Sequence, residues 1–114
     1  MKKVHQETLK RRDIIRGEKE TRELLGVRPL KTRFLRVHFM PGDHAKVAFH
    51  VPRRVGSAVL RNGLKRRMRE IYRRNKPEFP KACAIFRLKE RSGWEELCKD
   101  FKLAAKMMAG SIVG

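Results

Sequence analysis

Between Arg53 and Lys76 the chain carries ten Lys or Arg residues and one acid, Glu70, and no other stretch constrains the fold as strongly. Gly56-Ser57 ahead of it and Pro77 and Pro80 beyond it delimit a helix over about Ala58 to Asn75. Leu60, Leu64, Met68, Ile71 and Tyr72 recur at the spacing of one buried helical stripe. At about 100° per residue, Arg61, Lys65, Arg69 and Arg73 fall beside that stripe, with Asn62 and Arg66 further round. A run of like charge commonly forms no more than a solvated face. Here the opposite face is core, so the cations are held rigidly over one surface, where Lys and Arg stems can reach phosphates and displace counterions. Arg adds a fork that matches paired phosphate oxygens. This helix therefore predicts a surface for a polyanion, without saying which one.

The flanking segments supply what the helix packs on. Arg33 to Phe39 alternates as a strand, with Leu35, Val37 and Phe39 on one face and Phe34, Arg36 and His38 on the other. Met40-Pro41-Gly42-Asp43 reads as a turn, and Lys46 to Val51 as a second strand with Val47, Phe49 and Val51 on one face. Two alternating strands around such a turn predict an antiparallel hairpin. Ala82 to Leu88 reads as a short buried strand. Glu18 to Leu25 is rich in helix formers and stops at Gly26. Ser92-Gly93-Trp94-Glu95 has the form of a capping box. The helix it opens, about Trp94 to Met108, is expected to bury Trp94, Leu97, Cys98, Phe101, Ala105 and Met108. Residues 1–16 read as a basic N-terminal tail or helical lead-in, and residues 17–114 as one domain.

Composition narrows the function classes. The 114 residues suffice for one modest core, and 30 Lys or Arg against 12 acids leave a formal charge of +18. Such self-repulsion points to a nucleic acid or an acidic surface as partner. No apolar run approaches the roughly 20 residues of a spanning helix, and the basic start leads into no apolar segment, so a cytoplasmic protein with no membrane role is expected. Cys83 and Cys98 form no Cys-x-x-Cys pair and read as core thiols. His5, His38, His44 and His50 show no metal-ligand spacing. No catalytic residue and no metal site are expected of the chain by itself.

The run Arg53-Arg54-Val55-Gly56-Ser57-Ala58-Val59-Leu60-Arg61-Asn62-Gly63-Leu64-Lys65-Arg66-Arg67-Met68-Arg69-Glu70 closely resembles the signature of bacterial ribonuclease P proteins. A basic pair, a Gly, Ala-Val, Arg-Asn, Lys-Arg and Arg-Glu stand at its fixed offsets, and the likeness extends more loosely from Lys19 to Met108. The resemblance implies an α+β fold, a single-domain α-β sandwich in the order α-β-β-β-α-β-α, with a left-handed βαβ crossover at the basic helix. It also implies a subunit of an endoribonuclease that removes the 5′ leader of precursor tRNA. The partner would be a catalytic RNA that holds the magnesium ions, with no obligate protein partner evident. By this resemblance Arg61, Asn62, Lys65, Arg66, Arg69 and Arg73 carry the RNA contact, with Arg53 and Arg54 beside them.

A cleft between the sheet and the first helix would hold the single-stranded leader. The alternation places Ala48 and His50 on the sheet's polar face. Phe34, Arg36 and His38 then offer a ring flanked by cations on the neighbouring strand, the combination that holds single strands without reading sequence. A slip of one residue would exchange the faces and put Phe34 in the core. Members of the family often send two aromatics, four residues apart, into this cleft from the first helix; Thr21 and Leu25 stand at those positions here.

Two rival readings remain at this level. A stand-alone nuclease would need paired carboxylates or an acid–base pair in a pocket, and the basic face offers only Glu70. A ribosomal protein or general RNA chaperone is separated from the first reading by the spaced signature alone.

Overall fold

A computed structural model describes Leu9 and residues 11–113. The elements are α1 (Glu18–Leu25), β1 (Leu30–Lys31), β2 (Leu35–Pro41), β3 (Lys46–His50), α2 (Ala58–Arg74), β4 (Ala82–Leu88) and α3 (Trp94–Val113). The order is therefore α-β-β-β-α-β-α. Single 3-10 turns stand at Arg11–Asp13, Arg53–Val55 and Lys76–Glu78. Among the described residues no helix is long and apolar enough to cross a membrane.

The sheet runs β1-β2-β4-β3. β4 lies between the two strands expected to form a hairpin, antiparallel to β2 (Val37 opposite Phe86) and parallel to β3 (Phe49 opposite Phe86). The hairpin expectation is thus corrected. Ala82, Ala84, Phe86 and Leu88 are all buried, and a strand this apolar gains most by sitting in the middle of the sheet. β2 accordingly continues through Pro41, which stands opposite Ala82, where a turn was expected.

The alternation itself holds. Leu35, Val37, Val47 and Val51 join the main core with Leu64, Met68, Ile71 and Tyr72 of α2 and Leu97, Phe101, Ala104 and Met108 of α3. Phe86, wholly buried, is its centre: Phe49 and Phe101 stack on it at 5.7 and 5.1 Å, and Tyr72 and Phe79 meet it at 5.7 Å each. On the other face a smaller cluster of Ile15, Leu24 and Ile85 seats α1.

Residues 11–16 make a 3-10 turn and a bridge to β3, with Ile15 in this second cluster and Ile14 packed against the main core. Ile14 bridges Val47, the Ile15 N–H donates to the Val47 carbonyl at 2.9 Å, and buried Asp13 meets His44 Nε2 at 3.1 Å. The rest of the expected tail, residues 1–8 and 10, lies outside the described residues.

Local chemistry sets the helix ends. The Ser57 side chain accepts from the Leu60 N–H at 3.2 Å and caps α2. Gly26 follows α1 in right-handed conformation, so no left-handed glycine cap ends that helix. At α3 the capping box is shifted by one residue: Glu96, not Glu95, accepts from the Gly93 N–H at 3.0 Å, and the Ser92 hydroxyl is buried with no partner among the described residues. α3 runs five residues past Met108, with Leu97, Phe101, Ala105 and Met108 buried as expected. Cys98 is half-buried and Trp94 is 39% exposed, a departure from the expected core position. Both thiols are free.

Candidate nucleic-acid interface

α2 presents its polar side as read from the sequence. Leu64, Met68, Ile71 and Tyr72 are buried, whereas Asn62, Arg66, Arg67 and Arg69 are exposed and Arg61 and Lys65 half-buried. Three of its cations also have structural work. Arg61 Nε donates to the Gly56 carbonyl at 3.1 Å, bracing the turn into the helix. Arg73 and Arg74 hold Glu70, through Nε donors at 3.1 and 2.8 Å, and their hydrogen bonds lower the Glu70 carboxyl below its ordinary range. The one acid of the run is thereby neutralised, and Arg73 is an ion-pair partner rather than an unengaged cation.

The second surface is a row across the sheet. Lys31 stands opposite Arg36, Arg36 opposite Arg87, and Arg87 opposite His50, all on the face that carries α1. His50 is pushed below its ordinary value by burial, then by Arg87, Lys65 and Arg61. The last two lie on α2, so cations of the sheet row and of the helix both act on this imidazole. At the strand ends Arg36, Arg54, Arg87 and Lys89 line a recess of about 50 Å³, with no acid among its described walls. Arg54 is fixed there through its bond to the Lys89 carbonyl at 2.8 Å, and the buried Arg36 Nε has no partner among the described residues. Arg53 is exposed in the turn before α2.

Phe34 does not belong to this face. It precedes β2, its ring is 5% exposed in the main core, and its main chain is clamped from both sides. Buried Asp100 of α3 accepts from the Phe34 N–H at 2.6 Å and from the Thr32 hydroxyl at 2.7 Å, while the Phe34 carbonyl accepts from the Lys89 N–H at 2.8 Å. Alternation stops at the turn where Thr32 binds the Leu35 N–H, so Phe34 is free to turn inward. The cleft expectation is corrected for this residue. His38 is buried too, with Nδ1 at 2.9 Å from the Val27 carbonyl after α1. On α1, the Thr21 hydroxyl donates back to the Gly17 carbonyl at 2.9 Å, and Leu25 is exposed.

A model of the Ribonuclease P family matches residues 7–109. The chain belongs to the ribonuclease P protein family. Among curated relatives, the ribonuclease P protein component of Citrifermentans bemidjiense is 45% identical over 56 residues, 47% of this chain and 48% of that one. That of Thermus aquaticus is 40% identical over 60 residues, 53% of this chain and 37% of the relative. The matched stretch thus spans about half or less of these relatives. In fold, the ribonuclease P protein from Thermotoga maritima superposes with a TM-score of 0.73 at 24% identity, covering 82% of this chain and 94% of its own.

Within this family member, sequence reasoning missed Lys31, Arg87 and Lys89. Arg87 was legible in principle, because Cys83, Ile85 and Arg87 alternate with the main-core positions Ala82, Ala84, Phe86 and Leu88 of β4. Its importance depends on β4 being central, and alternation does not reveal which strand that is.

Proposed function

We propose that this protein is the accessory subunit of ribonuclease P, assisting an RNA catalyst in removing the 5′ leader from precursor tRNA in the cytoplasm. Arg61, Asn62, Lys65, Arg66 and Arg69 contact the catalytic RNA, with Arg53 and Arg54 beside them. The observation that carries this reading is the cationic face of α2, with Asn62, Arg66 and Arg69 exposed over buried Leu64, Met68, Ile71 and Tyr72, together with the row Lys31, Arg36, Arg87 and His50 across the sheet. A rigid electropositive face of this kind screens the repulsion between catalytic and substrate RNA. The leader lies along Lys31, Arg36, Arg87 and His50, which bind its phosphates. With Phe34 in the core and Thr21 and Leu25 on α1, grip on the leader rests on charge more than on stacking. In this reading the catalytic RNA holds the magnesium ions and carries the chemical step, and the protein positions RNA.

The test is cleavage of precursor tRNA by the protein, by the catalytic RNA, and by both at low salt and low magnesium. Cutting by the pair well above the RNA alone is expected, with none by the protein alone. Metal-dependent cutting by highly purified protein would refute the accessory role, and absence of any stimulation would favour a general RNA-binding protein.

A further inference from the structure

Further round α2, Gly63, Arg66, Arg67, Arg69 and Arg73 border a groove that neither the sheet row nor the leader path includes. It encloses about 650 Å³, within the ~300–1,000 Å³ typical of ligand clefts, and Leu9 and Trp94 at the start of α3 also line it. Trp94 is 39% exposed, an unusual position for the largest side chain. The Arg74 guanidinium lies over its ring at 5.6 Å and is itself braced on Glu70 at 2.8 Å, so indole and cation are held together. Among the described residues no acid pairs with Arg66 or Arg67, and Glu70, which also lines the groove, is occupied by Arg73 and Arg74. Gly63 has no packing reason to be glycine, since a Cβ there would meet nothing within 4 Å. A glycine in mid-helix opposes helix formation. What it provides is bare backbone on the groove wall, over which a flat group can approach closely.

An exposed indole beside guanidiniums that no described acid pairs is the combination that holds an unpaired base on a ring and its phosphates on cations. We infer that this groove binds an unpaired nucleotide of the catalytic RNA, its base against Trp94 and its flanking phosphates on Arg66 and Arg67. The inference rests on the accessory-subunit reading for the identity of the RNA. It adds a stacking contact outside the leader path.

Trp94 is the only tryptophan in the chain, so its fluorescence reports on this groove alone. Titration with the catalytic RNA should quench it, as should single-stranded oligoadenylate; duplex RNA of equal length, which buries its base faces, should bind without comparable quenching. Trp94→Leu should weaken binding of the catalytic RNA roughly 5- to 150-fold, as expected for one lost stack, with Trp94→Phe between it and the wild type. The ratio of precursor to mature tRNA affinity in the assembled enzyme should stay unchanged, because the leader lies elsewhere. Unaltered fluorescence at saturating catalytic RNA, equal quenching by the duplex, or wild-type affinity in Trp94→Leu would each overturn the inference. If Trp94→Leu folds poorly, the wild-type titrations and Trp94→Phe decide. Stimulated cleavage with an unquenched Trp94 would sink this groove and leave the accessory role standing. Absence of stimulation with quenching by oligoadenylate would do the reverse.

Discussion

Phe34→Ala separates a core residue from a cleft residue. The ring is 5% exposed and packed in the main cluster, and truncating such a ring costs roughly 3–5 kcal/mol, transfer and cavity together. Two features favour the lower figure. The main-chain bonds to Asp100 and Lys89 survive the substitution, and Arg33, whose guanidinium lies 5.1 Å over the ring, marks a route by which water can fill the space. A loss of about 3 kcal/mol in a domain of this size lowers Tm by about 12 °C, taking ~4 °C per kcal/mol. Thermal unfolding followed by circular dichroism reads this directly. In the assembled enzyme, well below the lowered Tm, the ratio of precursor to mature tRNA affinity should match the wild type, because the ring does not reach the leader. An unchanged Tm together with a ratio reduced about 5-fold or more, the loss of one stacked base, would show that Phe34 faces the RNA and that the core assignment is wrong.

Lys65→Ala should lower the salt dependence of catalytic-RNA binding by roughly 0.7–0.9 log units of slope per lost phosphate contact, with stability inside about 0.5 kcal/mol of the wild type. Arg61→Ala should do the same and also lose up to about 1 kcal/mol, because its bond to the Gly56 carbonyl goes with it; equal Tm in the two variants would refute that distinction. Gly56→Ala should destabilise by about 1–3 kcal/mol, since the added Cβ would stand 2.4 Å from Leu60 Cδ2 and force that side chain aside; a neutral effect in denaturant titration would count against it. His50 has a folded value below its ordinary 6.5, so the folded chain binds fewer protons than the unfolded one just below that pH. Its contribution is therefore present above about pH 6.5 and lost as pH falls toward the lowered value, and His50→Gln should flatten the stability profile there. RNA phosphates act in the opposite direction, so wild-type affinity should rise relative to His50→Gln as pH falls through the same window, which binding titrations at fixed salt would check.

By itself the sequence determined the elements and their faces. The stripe Leu64, Met68, Ile71 and Tyr72 and the caps around it specified α2 to within a residue of its end, because helical periodicity and capping are local. Strand alternation likewise assigned Val37, Val47 and Phe49 to the core side and Arg36 and His50 to the other. Only the tertiary structure decided which strands are neighbours. Alternation records the face a residue occupies and not the strand beside it, so β4 could enter between β2 and β3 without leaving a local trace, carrying Arg87 into the cationic row. Phe34 turned inward for a reason 66 residues distant, the Asp100 carboxylate that binds its N–H. Trp94 stayed at the surface because the Arg74 guanidinium, on another helix, meets its ring there. Such contacts depend on how layers pack, and packing is settled by the whole chain at once.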